Sequence, residues 1–172
     1  DGSLYIAFTS GSASDSDGGP DLRIFQGKDG KAYEYGWIMH LIEDGNEPSA
    51  MSFKWKMFAT GGEPAEGGLG FANPDNLVID KSGNIWMVTD MSSDKLNSVI
   101  PPGRIDKQGK PLSQSNLRGL YGNNALWFLP TSGPNVGEAF LFGIGPMDCE
   151  TTGPFFTEDE KTLFLAIQHP GE

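Results

Sequence analysis

A short apolar run recurs three times along the chain at nearly regular spacing. The three copies lie in DGSLYIAFTS at 1–10, SGNIWMVTD at 82–90 and DEKTLFLAIQ at 159–168. Aligned on Leu4, Ile85 and Leu163, they are 81 and 78 residues apart. Each run is bounded by turn residues and rich in β-branched, aromatic or other large apolar side chains, which is typical of a β-strand. The recurrence favours a fold built from copies of one multi-strand unit.

Further strand-like runs fill the space between the three copies. One run precedes each of the last two copies, and two runs follow each of the first two. They are NLVID at 76–80, GPFFTED at 153–159, GWIMHLIEDG at 36–45, SFKWKMFATG at 52–61, NALWFLPTSG at 124–133 and EAFLFGIG at 138–145. The complete unit therefore has four strands, and the 24 Gly and 12 Pro residues suit short strands with frequent turns. The period exceeds the roughly 40–50 residues of a common blade repeat, but four antiparallel strands per repeat characterise a propeller blade.

We therefore predict an all-β fold, a portion of a β-propeller with about two and a quarter four-stranded antiparallel blades and long loops. It would form a single partial domain with an incomplete blade at 1–70, a full blade at 71–145 and a partial blade at 146–172. Such an inventory cannot close a ring, so we expect the open edges to pair with missing blades or with a second copy. A β-sandwich of about nine strands is the alternative fold.

The charge of the chain limits the partners that it can bind. Its net charge is −11, from 23 acidic and 12 basic residues, so a nucleic-acid groove is not expected. An acidic surface is compatible with divalent cations, although it is also common in proteins that are simply well solvated. No apolar stretch reaches 18 residues, so we expect no membrane-spanning segment. Cys149 is the only cysteine, which excludes an intrachain disulfide.

Nucleophilic catalysis finds little support in the sequence. The chain has two histidines: His40 lies within an apolar strand, where a packed side chain is the simpler interpretation, and His169 follows the last strand. A Gly-x-Ser-x-Gly elbow, a histidine-rich zinc pattern and a phosphate-binding glycine loop are all absent. We expect no catalytic residue in this segment by itself, and the sequence identifies no phosphate-binding residue.

Oxygen ligands for a hard cation are better represented. Asp75 and Asn76 stand at the start of one hairpin and Asp90 at its end, so all three should meet at one edge of the sheet. Asp148 and Glu150 precede the first strand of the third unit. Inner strands line the channel of a propeller, and calcium prefers several carboxylate, amide and carbonyl oxygens. These residues predict a cation site at the channel mouth; the alternative for Asp75 and Asn76 is an Asx-type turn.

The loops add weaker candidates. Asp15, Asp17 and Asp21 lie in the acidic loop at 11–21, but their spacing does not match an EF-hand, and a solvated loop is the simpler interpretation. The glycine-rich loop at 61–70 connects two units. The segment at 92–119 is long enough to be functional or disordered. It contains Arg104 and Arg118, for which a solvated surface position is a simpler interpretation than a phosphate contact.

Several motifs together resemble one enzyme family. FANPDNLVIDKSGNIWMVTD, GNNALWFLPTSGPNVGEA, ETTGPFFTEDEKTLFLAIQHPGE, DGSLYIAFTS and YGWIMHLIEDG are similar to successive motifs of the PhoX-type bacterial alkaline phosphatases. The similarity covers nearly the whole chain, and the closing TLFLAIQHPGE is its most specific part. The Arg-Pro-Glu-Asp segment that precedes DGSLYIAF in that family, and the more N-terminal iron ligands, have no counterpart here. Cys149 is not equated with the family's cysteine ligand, which lies far upstream.

The resemblance implies a six-bladed propeller, exported by the twin-arginine route to the periplasm or beyond. It also implies hydrolysis of phosphate esters with a calcium and iron cluster in the channel. Asp75, Asn76 and Glu150 match the family's motifs and would be metal ligands, and Asp90 follows the family's pattern as a further candidate. Two other functions remain open from the sequence: a propeller that binds a protein or glycan without chemistry, and a lactonase-like calcium propeller with similar Asp-Asn channel chemistry.

Overall fold

The computed structural model describes residues 3–10, 35–64, 67–92, 96 and 121–171. Within these ranges the chain forms nine β-strands and one 3-10 turn at Asp44–Asn46. The strands are β1 (Ser3–Phe8), β2 (Trp37–Glu43), β3 (Phe53–Thr60), β4 (Pro74–Ile79), β5 (Ile85–Thr89), β6 (Ala125–Leu129), β7 (Phe140–Ile144), β8 (Glu150–Phe156) and β9 (Leu163–Gln168). All nine strand-like runs of the sequence are therefore strands.

The strands form three antiparallel sheets in which neighbours along the chain are neighbours in space. The orders are β1-β2-β3, then β4-β5-β6-β7, then β8-β9. The middle sheet is a complete four-stranded meander, the first has three strands, and the third consists of one hairpin. This arrangement confirms the predicted all-β class and the fit to about two and a quarter blades. The proposed unit boundaries at residues 70 and 145 remain predictions.

The bulges of the sheets repeat as the strands do. In both β2-β3 and β6-β7, the outer strand carries one extra residue, Phe58 and Phe142 respectively. In β4-β5 and β8-β9, two residues of the first strand oppose one residue of the second. A bulge is a structural feature that bends a strand and redirects side chains. Bulges in matching strands support the repeat that the sequence indicated.

Two strands begin earlier than the sequence suggested. Pro74 is already paired with Thr89, so β4 begins two residues before the predicted Asn76, and Asp75 and Asn76 lie in its bulge. Likewise β8 begins at Glu150, three residues before the predicted Gly153. Turn-forming residues obscured both starts, because proline and glycine are unusual in a regular strand but are accepted at a strand end or a bulge.

The main core lies between the first two sheets. Its buried apolar side chains are Ile38, Ala59, Phe71, Ile85, Met87, Ala125, Trp127, Leu129 and Ala139. Phe71 packs edge-to-face on Trp127, with ring centroids 6.0 Å apart. Full burial of a large apolar side chain contributes about 1.5–3 kcal/mol, so this cluster fixes the two sheets against each other. A smaller cluster of Ala72, Met91 and Leu96 continues it beside the segment after β5.

The third sheet is held against the second by strand packing and by contacts near the turn end of the strands. β8 contacts β4 and β5, and Trp86 on β5 packs its ring against Phe156 on β8 with centroids 5.5 Å apart. At the turn end, the Lys81 backbone N–H donates to Glu160 Oε1 at 2.5 Å, and the Lys81 ammonium donates to the Glu158 carbonyl. The hairpin β8-β9 therefore has a fixed position relative to β4 and β5.

Several sequence features fall on residues that the structure does not describe. They are the acidic loop with Asp15, Asp17 and Asp21, part of the glycine-rich loop at 61–70, and most of the 92–119 segment with Arg104 and Arg118. In the ranges given above, the chain contains no helix that is long and apolar enough to cross a membrane.

The third sheet exposes apolar side chains on both of its faces. Phe155 on β8 is 64% exposed, Phe164 on β9 is 58% exposed, and Leu165 and Ile167 are also exposed. Several exposed large apolar side chains on one hairpin are typical of an interaction surface, and β9 also offers a strand edge.

We therefore expect the isolated 172-residue chain to self-associate. Covering about 400 Å² of apolar surface is worth on the order of 10 kcal/mol. Static light scattering across micromolar concentrations should show species larger than a monomer, and Phe164→Lys or Ile167→Lys should shift the population toward the monomer. A wild-type chain that stays monomeric over this range would contradict the open-sheet interpretation.

Candidate metal centre at the start of the inner strands

Asp75 and Asn76 reach the site because of the β4 bulge. Pairing of β4 with β5 passes from Pro74↔Thr89 to Leu77↔Met87, so these two residues oppose Val88 alone. Asp75 is half-buried and Asn76 is exposed. The bulge thus places two consecutive polar side chains near β8, where a regular strand would direct one to each face.

The two bulges are bonded to each other. Asn76 Oδ1 accepts a hydrogen bond from Thr152 Oγ1 at 2.6 Å and another from the Gly153 backbone N–H at 3.0 Å. Both partners lie at the bulge of β8. These bonds use both lone pairs of the amide oxygen, so direct metal binding through Oδ1 requires that at least one bond is released.

Asp90 is positioned by the turn that follows β5. Its backbone N–H donates to the Asn73 carbonyl at 2.9 Å, and the Asn73 side chain donates to the carbonyl of Thr9, the residue after β1, at 3.0 Å. Asn73 has a left-handed φ of 52°, a conformation that asparagine tolerates better than most residues. Asn73 therefore connects Asp90 to the residue immediately before β4 and to the first sheet.

Glu150 begins β8 and faces the last strand. It pairs with Gln168, whose Nε2 donates to Glu150 Oε1 at 3.4 Å. Beyond that pair, the Gly171 N–H donates to the Met147 carbonyl at 3.0 Å. The hairpin ends are thereby joined, which places Asp148 and His169 at the same end as Glu150.

The carboxylates of the site interact electrostatically. Burial raises the pKa of Asp75 and the charge of Asp90 raises it further, against a smaller lowering by the Asn76 backbone hydrogen bond. Burial also raises the pKa of Glu150, followed by the charges of Asp90 and Asp75, while His169 lowers it. Asp75, Asp90 and Glu150 therefore form one group of mutually repelling carboxylates, which we call the carboxylate group.

A cavity of about 230 Å³ opens beside this group. Its lining residues are Asp90, Met91, Ser92, Leu96, Asn124, Asp148, Cys149, Glu150 and His169. Two of the predicted ligands, Asp90 and Glu150, thus share a cavity, whereas Asp75 and Asn76 lie outside its lining. The predicted site residues are near one another but do not form a single closed shell.

His169 is a member of the site that the sequence alone did not assign. It lines the cavity and lies close enough to Glu150 to affect that carboxyl group. Its φ of 50°, like the φ of 55° at Asp148, is left-handed. This backbone conformation is uncommon outside glycine and is found more often at functional sites. The sequence held a signal for this residue: regular pairing of the last hairpin from Phe156↔Leu163 places His169 opposite Glu150, and the β8 bulge shifts that partner by one residue to Gln168.

Other nucleophile or base candidates are placed in packed positions. His40 stacks on Tyr5 with ring centroids 4.3 Å apart and hydrogen-bonds Ser3 Oγ, as expected for a packed histidine. Cys149 is buried, and burial raises the pKa of its thiol. A buried thiol with a raised pKa is a poor nucleophile, so neither residue offers an alternative to the carboxylates.

The donor chemistry of the carboxylate group fits a hard cation, because calcium selects carboxylate oxygens and a positive charge relieves their repulsion. The geometry is partial: among the residues that the structure describes, no three His, Cys, Asp or Glu side chains converge as a metal-binding cluster. The described residues thus include side chains of the right type to bind a cation, but these side chains do not form a complete coordination sphere.

Known proteins show similarity over the whole chain. A sequence model of the family "Alkaline phosphatase PhoX" matches residues 1–171. Among solved structures, Pseudomonas fluorescens PhoX in complex with vanadate, a transition state analogue, matches with a TM-score of 0.69 and 29% identity. The match covers 99% of this chain and 27% of the PhoX chain. No curated protein sequence matches significantly.

Antiparallel blades with acidic side chains at the start of their inner strands define the class as a β-propeller with a polar site at one end. The family match then places the chain within that class, since it extends over nearly every residue. The chain belongs to the PhoX alkaline phosphatase family, and it spans about a quarter of the length of the PhoX chain that it matches.

Neutralising Asp90, whose charge acts on both Asp75 and Glu150, should stabilise the metal-free protein. The raised pKa values mean that the charged forms of Asp75 and Glu150 are less favourable in the folded than in the unfolded state. This destabilisation accumulates as the pH rises above the ordinary values of 3.8 and 4.5. Asp90→Asn should raise the melting temperature at pH 8 by about 1–3 °C, and the gain should vanish near pH 3.

Asp159→Asn is the matched control for this experiment. Hydrogen bonds from Thr157 and Lys161 lower the pKa of Asp159, so removal of that charge should give no gain at pH 8. Differential scanning calorimetry after chelation of metals measures both variants. An Asp90→Asn variant that melts at or below the wild-type temperature at pH 8 would show that the carboxylates do not repel each other significantly.

Proposed function

We propose that the full-length protein is a metal-dependent phosphatase that hydrolyses phosphate esters, and that this chain supplies part of its metal site. The observation that carries the proposal is the electrostatic coupling of Asp75, Asp90 and Glu150 across β4, β5 and β8. Acidic groups whose pKa values are raised by burial and by neighbouring charge are typical of functional sites. Membership of the PhoX alkaline phosphatase family supports phosphate-ester hydrolysis as the chemistry.

The matched structure supports the kind of ligand. Pseudomonas fluorescens PhoX was solved with vanadate, a transition state analogue. Applied to this protein, the similarity supports an oxyanion of phosphate-like shape as the group that is bound. A net charge of −11 disfavours direct binding of such an anion, so cations held by the carboxylates would be needed to attract it.

In this proposal Asp75, Asp90 and Glu150 bind the metals through carboxylate oxygens. Calcium suits these ligands, and iron is added to the proposal on the family resemblance. The bound metals would neutralise charge on the phosphate group and lower the pKa of an attacking water. Further metal ligands and any phosphate-binding arginines would come from other parts of the full-length protein.

Neighbouring polar residues would orient these carboxylates. Gln168 donates to Glu150, and His169 lowers the pKa of the Glu150 carboxyl group, which favours the ionised form that binds a cation. Asn76 holds the bulges of β4 and β8 together through Thr152 and Gly153. We propose Asn76 as a ligand only in a conformation in which it exchanges one of these bonds for a metal.

Export to the periplasm or the exterior is part of the proposal by family resemblance. The proposed substrates are small phosphate esters, and the sequence does not select one among them. In the full-length protein, the open apolar surface of β8 and β9 would be covered by further blades.

Removal of one proposed ligand should abolish turnover. In the full-length protein, Asp75→Ala should reduce phosphomonoester hydrolysis at least about 100-fold, since even groups that only support metal ligands cost about 10–100-fold when mutated. Calcium content by mass spectrometry should fall, while far-ultraviolet circular dichroism stays unchanged. Asp44→Ala removes an exposed carboxylate of the first sheet and should leave both values at the wild-type level. Asp75→Ala with normal turnover and calcium content would exclude the ligand role.

Assays on the same full-length protein distinguish a phosphatase from a lactonase. The wild-type full-length protein should hydrolyse p-nitrophenyl phosphate and show no comparable activity on a simple lactone. The reverse preference would replace the proposed function with the lactonase alternative, and inactivity on both would favour a binding module.

The isolated chain should have no phosphatase activity. Its described residues do not form a complete group of metal ligands, and loss of several ligands removes most of the catalytic effect of a metal. The purified 172-residue chain, assayed with calcium and iron added, should give the background rate of p-nitrophenyl phosphate hydrolysis. Metal-dependent turnover above background would show that the chain contains a sufficient site.

A further inference from the structure

Asp90 and Glu150 are each flanked on both sides by buried residues. The flanking residues are Thr89, Met91, Cys149 and Thr151, with exposures of 1%, 4%, 1% and 0%. Asp90 itself is exposed and Glu150 is partly exposed. Two accessible carboxylates are thus held on backbone that is fixed in the interior.

Asn124, at the residue before β6, connects the two flanking segments. Its side chain is 1% exposed. Its Oδ1 accepts hydrogen bonds from Thr89 Oγ1 at 3.0 Å and from the Met91 N–H at 2.6 Å. Its Nδ2 donates to the Met91 carbonyl at 3.2 Å and to the Cys149 carbonyl at 2.8 Å. One side chain therefore holds both sides of Asp90 and the residue before Glu150, with every hydrogen-bonding position of the amide in use.

Two threonines add a second connection between β5 and β8. Thr151 Oγ1 donates to the Thr89 carbonyl at 2.9 Å, with the Ala125 carbonyl also within reach at 3.3 Å. It accepts from the Thr89 N–H at 3.4 Å. Thr89 Oγ1 in turn accepts from the Ala125 N–H at 3.0 Å. We call Thr89, Asn124 and Thr151 the Asn124 network.

We propose that the Asn124 network positions Asp90 and Glu150 as a preset pair of cation ligands. The two carboxylates repel each other, so without a restraint their segments would relax apart. A buried network whose members are all paired is rigid, since any movement would leave polar groups unsatisfied in the interior. Cation affinity depends on how well the oxygens are held before the ion arrives.

The inference rests on the proposed ligand role of the two carboxylates, and it goes beyond that role by assigning the residues that orient them. A purely structural network makes a different prediction. It would affect the melting temperature of the protein, with no effect on cation affinity in protein that remains folded.

Thr151 offers a test of the positioning role. Two variants of this residue should differ in calcium affinity, and a packing role and a hydrogen-bonding role predict opposite orders of that affinity. Thr151→Val keeps the shape of the side chain and removes the hydroxyl group, whereas Thr151→Ser keeps the hydroxyl group and removes a methyl group. Thr131→Val is the matched control, because the Thr131 hydroxyl donates to the Gly83 carbonyl at 2.7 Å among the turns at the other end of the second sheet. Each variant is made in the full-length protein.

The measurement is calorimetric titration of calcium chloride into the metal-stripped protein at a temperature well below melting. Thr151→Val should weaken calcium binding about tenfold or more, Thr151→Ser should stay near the wild-type affinity, and Thr131→Val should match the wild type. The same order in kcat for phosphomonoester hydrolysis would add support. Should Thr151→Val not fold, Thr89→Val and Thr89→Ser make the same comparison through the bond to Asn124.

Two outcomes would overturn the positioning role while leaving the proposed function intact. They are a wild-type calcium affinity in folded Thr151→Val, and a weaker affinity in the serine variant than in the valine variant. A wild-type protein that neither binds calcium nor hydrolyses phosphomonoesters would overturn the proposed function, and the positioning role with it.

Discussion

Repulsion among three carboxylates is the interaction that the rest of the structure must withstand. Asp75, Asp90 and Glu150 come from three different strands or strand ends, and burial, followed by the charge on Asp90, raises the pKa of both Asp75 and Glu150. Separation of the strands would relieve that repulsion. The packing of β8 on β4 and β5, with Trp86 against Phe156, prevents it. The fold thus maintains carboxylates that repel one another, and a bound cation would relieve that repulsion.

Bulges are the local means by which the sheets build this site. Each inner strand, β4 and β8, places two residues opposite one of its neighbour, and the Asn76 side chain bonds one bulge to the other. A regular strand would alternate its side chains between the two faces. The bulges allow polar residues at the strand starts to collect at one end, while Leu77 on β4 still packs against the main core.

The sequence was sufficient to predict the strands and their order, because alternating apolar runs and turn residues mark each of them. It also predicted Asp75 and Asp90 near one another, since hairpin geometry joins the start of one strand to the end of the next, and it added Glu150 because inner strands line one channel. It could not predict the bulges, because Pro74 and Gly153 look like loop residues until their pairing is known. Nor could it predict the Asn124 network, since Asn124 lies 33 and 25 residues from Met91 and Cys149 and no local pattern marks such contacts.

The central claim is that Asp75, Asp90 and Glu150 bind cations in the full-length protein, and anomalous diffraction tests it most directly. Crystals of that protein, grown with calcium, would be measured at a long wavelength where calcium scatters anomalously. The account predicts anomalous peaks at about 2.3–2.6 Å from oxygens of these carboxylates. Metal peaks located elsewhere in the protein, with the three carboxylates bound only to water, would contradict it.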